Sequence, residues 1–280
     1  MNPITAPPGE HTPIQRLVSR VSRTVGALRA GARPGLRVLL YHGVGGEMPN
    51  DRYGMSVTPR AFADQMRWLR EESGYGIMSL DAGAAALARG TLAGTAVAVT
   101  FDDGLLDVLT EAAPVMAKYQ IPFTVFVVGG YLERPPAQHR YLDVPALREL
   151  AAVPHASIGA HGFTHRPLTR LSEEALDDEL RKSREALRTS LGTPPSAIGY
   201  PHGAVNRRVI GRVEAAGFVI GATSFVGVNH SAVHPLRLRR TEVLAADGIE
   251  EVSGKIRGDY DWYQAKQRMY WPLPPVHRDA

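Results

Sequence analysis

The chain contains no cysteine, which excludes disulfides, thiolate nucleophiles and every metal site that depends on sulfur. Any metal must be held by histidine and carboxylate. No apolar run reaches the ~18 residues that a membrane span needs. With 44% hydrophobic and 21% charged residues, the composition is that of an ordinary soluble globular chain. Lysine is scarce: of 32 basic residues only Lys118, Lys182, Lys255 and Lys266 are lysines, so arginine carries the positive charge. The net charge of +4 is spread along the chain, which gives no support to a nucleic-acid partner. Residues 1 to 13, MNPITAPPGEHTP, are Pro-rich and polar and lack the apolar stretch of a signal peptide. The expected location is cytoplasmic.

What is present is alternation. From Ile14 to Leu28 apolar residues recur at helical spacing with Arg16, Arg20 and Arg23 on other faces, a basic amphipathic helix that either packs on the domain or makes peripheral contact with a membrane surface. Residues 1–35 are therefore expected to be an N-terminal extension, 36–258 the main domain and 259–280 an aromatic-rich tail. Within the main domain, short β-prone runs alternate with amphipathic helical segments: LRVLLY, GIMSL, AVAVTF, PFTVFVV, ASIGA, AIGY, FVIGAT and PLRLRRTEV are the strand candidates. Helices are expected after Thr58, over DAGAAALARG, from Leu105 to Tyr119, over DVPALRELAAV, from Ser172 to Gly192 and from Asn206 to Ala216. Seven or eight β/α units at this length predict a single-domain α/β fold, an irregular (β/α) barrel.

In such barrels the chemistry sits at the C-terminal ends of the strands. Four strand candidates end in polar groups: Tyr41-His42, Asp102-Asp103, His161, and Tyr200 to Gly203. Two adjacent carboxylates after a buried run are unfavourable unless a cation or a proton relieves them. The segment HGFTH offers His161 and His165 to a common cation, and two histidines with one carboxylate is a ligand set of open catalytic metal sites. Either motif alone is weak, since Asp-Asp-Gly also suits a solvated turn.

In combination, TFDDG, HGFTH some sixty residues later and then YPHG resemble the polysaccharide deacetylases, carbohydrate esterase family 4 of the NodB-homology type. The likeness runs from about Leu36 to Ile256. YHGV at 41–44 makes it most similar to the branch found with exopolysaccharide and capsule synthesis, and SVTPRAFADQMRWL, IPFTVFVVGG and PLRLRRTEV agree with this.

The resemblance implies a hydrolase that removes N-acetyl groups from an N-acetylated amino sugar in a polysaccharide, oligosaccharide or glycolipid precursor. It makes Asp103, His161 and His165 the metal ligands and Asp102 the catalytic base. The cofactor is a divalent metal, zinc first, with cobalt, nickel or iron as alternatives. The loop of Tyr200, His202 and Gly203 becomes the substrate-binding or oxyanion element, chiefly through the His202 backbone N–H. His42 is the expected general acid and His234 the alternative. Gly199 stands where many relatives carry the arginine that orients the base, so another group must orient Asp102. Tyr260, Trp262, Tyr263, Tyr270 and Trp271 either stack on sugar or pack over the barrel. The competing activity is an amidase of the same superfamily acting on a non-sugar amide or imide.

Overall fold

The computed structural model describes residues 35–45, 54–133, 140–264 and 267. The Ile14 to Leu28 segment, Tyr270 and Trp271 lie outside the described residues.

The strands are β1 (Gly35–Tyr41), β2 (Gly43–Val44), β3 (Ser56–Val57), β4 (Gly76–Ile77), β5 (Thr95–Phe101), β6 (Phe123–Val127), β7 (Ala156–Ala160), β8 (Ala197–Gly199), β9 (Ile220–Ala222) and β10 (Thr241–Glu242). The helices are α1 (Pro59–Glu71), α2 (Leu80–Arg89), α3 (Ala113–Lys118), α4 (Val144–Ala152), α5 (Glu173–Leu191), α6 (Arg207–Ala215) and α7 (Ile249–Arg257). Their starts follow the sequence chemistry: Thr58, Ser79, Asp143, Ser172 and Asn206 each accept a backbone N–H of the first turn.

The main sheet is parallel, ordered β10-β1-β5-β6-β7-β8-β9, with β4 beside the start of β5. It curls into a barrel-like form. β10 pairs with β1 through Leu39↔Thr241, while Leu238, three residues earlier, bridges Ala222 of β9, so the segment 238–242 touches both edges. Alternate strand residues then face two cores. Leu39, Tyr41, Val99, Phe101 and Phe123 face the helices, and Leu36, Val38, Ala96, Ala98, Phe126, Ala197 and Ala222 form the second cluster with Leu80, Ala84 and Leu87 of α2. Small alanines on the inner face suit a tightly curled sheet.

The expected alternation holds, with local corrections. GIMSL pairs only at Gly76–Ile77, because Ser79 is spent as the cap of α2. The helix expected from Leu105 to Tyr119 is present over residues 106–118 and continuous, but Pro114 has no N–H to return to residue 110, and a π-helical turn over Val108–Ala112 precedes α3. PLRLRRTEV is mostly not strand; Pro235–Arg237 forms a turn and only Thr241–Glu242 pairs. Helix α7, which the sequence pattern did not announce, starts where Glu251 accepts the Gly248 N–H and stops at Gly258 with φ 96°.

Candidate active site

The strand ends β5 and β7 bring the central residues together. Ladder hydrogen bonds continue one residue past each strand, from Asp102 N–H to the Tyr41 carbonyl (3.0 Å) and from His161 N–H to the Val127 carbonyl (2.8 Å). Beyond them the chain turns sharply. Asp103 and His165 are both in the left-handed region, φ 72° and 62°, a conformation that non-glycine residues hold only when their surroundings enforce it. Asp103 Oδ1 then lies 3.4 Å from His161 Nε2 and 3.2 Å from His165 Nε2. One ligand atom from each of the three residues falls within 4.8 Å of the others.

This trio fits a divalent cation. The Nδ1 of His161 is 2.8 Å from the Gly199 carbonyl; donating there leaves the Nε2 lone pair for a cation shared with Asp103. Burial pushes the Asp103 carboxyl up, but the two imidazoles overcome it and hold the group well below the usual carboxylate range. His161 is driven down by burial and up, by more, through Asp102 and Asp103. Asp103 Oδ1 is buried with no hydrogen bond of good geometry, as a ligand atom awaiting a cation would be.

The loop between the two histidines is held from α5. Glu179, 6% exposed, accepts the N–H groups of Phe163 (2.8 Å) and Thr164 (2.7 Å) and the Thr164 hydroxyl. This carboxylate was not singled out from sequence, where it is one acid among several on a charged helix.

Asp102 is gripped by Arg240. Nη1 donates to Oδ1 at 2.6 Å and Nη2 to Oδ2 at 2.7 Å, while Nε donates to the Thr223 carbonyl. Arg240 is fully buried, its guanidinium 5.3 Å from the centre of the Phe126 ring. Burial raises the Asp102 carboxyl, and Arg240 and His161 more than reverse this, so it stays below its ordinary value. Arg240 thus occupies the orienting role that Gly199 cannot. A side chain at 199 would stand 2.9 Å from Phe126 and 3.0 Å from His161 Nδ1.

The other anticipated residues divide. His42 follows β1, and its Nδ1 is 3.7 Å from a Glu242 oxygen at the end of β10; Asp107 Oδ2 accepts the Val44 N–H and so anchors the chain just beyond it. His202, with φ 58°, sets its ring 4.7 Å from that of His165 at a tilt of 43° and reaches the His165 carbonyl at 3.2 Å. Burial and His165 lower its pKa. Gly203 is required by space, since a Cβ there would be 2.8 Å from Ser224. Tyr200 is a correction: its ring is fully buried and its hydroxyl donates to the Leu236 carbonyl at 2.7 Å, so it braces the loop from beneath instead of facing substrate. His234 accepts the Leu236 N–H and caps the same turn. In the tail, the Trp262 and Tyr263 rings meet edge to face and Lys255 lies over Tyr260.

Comparison with known proteins converges on the same reading. Residues 89–221 match the family model described as polysaccharide deacetylase. The chitooligosaccharide deacetylase of Rhizobium leguminosarum bv. trifolii is 32% identical over 123 residues, which are 42% of this chain and 52% of that protein. The chain spans less than two-thirds of the length of the first curated relatives it matches. Among solved structures, Streptococcus pyogenes deacetylase PplD in complex with acetate superposes with TM-score 0.71 at 25% identity, covering 80% of this chain and 99% of that one. IcaB from Ammonifex degensii gives TM-score 0.70 at 26% identity, covering 80% and 97%. Over residues 89–221 the chain is therefore similar to the polysaccharide deacetylases, and it shares the fold of the solved deacetylases.

Proposed function

We propose that this protein is a metal-dependent N-deacetylase that hydrolyses the acetamido group of an N-acetylated amino sugar in a polysaccharide, oligosaccharide or glycolipid precursor. The observation that carries the reading is the Asp103, His161 and His165 trio set beside a buried carboxylate, Asp102, whose two oxygens are fixed by Arg240. The likeness to the chitooligosaccharide deacetylase of Rhizobium supports the sugar class.

Asp103, His161 and His165 would hold the cation, zinc first, with cobalt, nickel or iron compatible with the same donors. When bound, it supplies a Lewis acid that polarises the amide carbonyl and acidifies a water. Asp102 takes the proton of the attacking water on a lone pair that Arg240 leaves open. The oxygen of that water bonds to the acyl carbon, and the His202 backbone N–H, carried at the rim by a left-handed residue, donates to the developing oxyanion. His42 gives a proton to the amine nitrogen as the C–N bond breaks, so the free amino sugar and acetate leave. Among the described residues no helix is long and apolar enough to cross a membrane; contact with a membrane surface is proposed only through Ile14 to Leu28.

The test is acetate release from N-acetylglucosamine oligomers against release of ring-opened product from cyclic amides and imides. Turnover of the sugars that ceases on chelation supports the proposal. Turnover of the cyclic substrates alone favours the amidase.

A further inference from the structure

Two tyrosines beside the trio are placed by the same two loops that carry its ligands. Tyr131 ends the turn Gly129–Tyr131 after β6. That turn is tied to the histidine loop by two backbone bonds, Gly129 N–H to the Gly162 carbonyl and Gly130 N–H to the Phe163 carbonyl, both 2.9 Å. The approach depends on glycine: a Cβ on Gly130 would be 2.5 Å from the Phe163 oxygen. Tyr141 is tied to the other loop. It bridges Leu105 in antiparallel fashion, flanked by Leu106 N–H to the Arg140 carbonyl (2.8 Å) and Leu142 N–H to the Gly104 carbonyl (2.9 Å).

The rings meet. Tyr131 and Tyr141 have centroids 4.5 Å apart, and Tyr131 is 6.4 Å from the ring of His165, which in turn is 4.7 Å from His202. Both tyrosines are partly exposed. A file of aromatic rings therefore runs from Tyr141 to His202 along one side of the metal ligands. Tyr141 packs against the hydrophobic core and so fixes the ring behind Tyr131, while Tyr131 keeps part of its surface open beside the trio.

We propose that Tyr131, backed by Tyr141, is a stacking platform for a pyranose ring of the glycan being deacetylated, and so a determinant of substrate binding. This rests on the sugar-deacetylase reading above. A pyranose presents a face of C–H groups that packs on an aromatic plane, while its hydroxyls stay available to the polar rim. The platform needs the ring and not the hydroxyl.

Wild type, Tyr131→Phe and Tyr131→Leu full-length proteins, stripped of metal to prevent turnover, are titrated calorimetrically with β-1,4- and β-1,6-linked N-acetylglucosamine tetramers. Circular dichroism and thermal unfolding confirm that each variant is folded. Tyr131→Phe is expected to match wild type, and Tyr131→Leu to bind roughly 3- to 10-fold more weakly. Equal binding by wild type and Tyr131→Leu overturns the platform while leaving intact the deacetylase reading, which acetate release by metal-loaded wild type tests separately. Neither binding nor release by wild type overturns both.

Discussion

The Arg240 guanidinium holds both oxygens of Asp102 at 2.6 and 2.7 Å, joining residues 138 positions apart at the centre of the barrel. The pair is buried and bidentate, a fork that a lysine cannot reproduce. Because Arg240 sits between Leu238, which bridges β9, and Thr241, which pairs with β1, the contact that fixes the Asp102 carboxylate also lies where the sheet edges meet.

Removing the guanidinium should therefore damage stability and chemistry together. Arg240→Met leaves Asp102 charged and buried, with an expected loss of about 3–5 kcal/mol. Its carboxyl pKa should rise, moving the acidic limb of the kcat/KM profile to higher pH. Arg240→Lys should keep part of the stability and less of the rate. Thermal unfolding and pH-rate profiles check both.

The same pair predicts the pH dependence of folding. The Asp102 pKa is lower folded than unfolded, so its contribution is present above the unfolded carboxylate value and is lost as pH falls through the lower folded one. Denaturant titrations across the acid range should show stability declining there, and Arg240→Met should flatten this decline. Asp102→Asn should likewise be destabilising, because Arg240 would remain buried without an anion; it should still bind metal.

Glu179 should act on metal affinity without touching the cation. Glu179→Ala frees the N–H groups of Phe163 and Thr164 and loosens the loop between the ligands, and an outer-shell loss of this kind typically costs 10- to 100-fold in affinity. Glu179→Gln, which can still accept those bonds, should fall between. Competition with a chromophoric chelator measures it.

Gly199 offers a steric test of the relocated arginine. Gly199→Ala brings a methyl against Phe126 and His161, and the displaced Phe126 ring no longer supports Arg240. Lower melting temperature and reduced turnover are expected; an unchanged enzyme would show that the packing yields easily.

Much of this site was legible because its chemistry is local. TFDDG and HGFTH each sit at a strand end, and helix caps such as Thr58, Ser172 and Asn206 mark their own boundaries. Arg240 was not legible as the partner of Asp102, since its segment reads as strand and its role depends on how the sheet curls. Glu179 was hidden for the same reason: only the packing of α5 under the histidine loop separates it from its solvated neighbours. Tyr200 misled in the opposite sense, because a tyrosine in a motif loop can brace the loop as readily as face the ligand.

The most direct test of the account is metal content together with acetate release for wild type, Asp103→Asn, His161→Ala and His165→Ala on an N-acetylglucosamine oligomer. The account predicts about one divalent ion per wild-type chain, acetate release that stops on chelation and returns when metal is restored, and loss of both metal and turnover in each variant that remains folded. Acetate release that persists in thoroughly chelated wild type, or in a variant lacking one of these ligands, would contradict it.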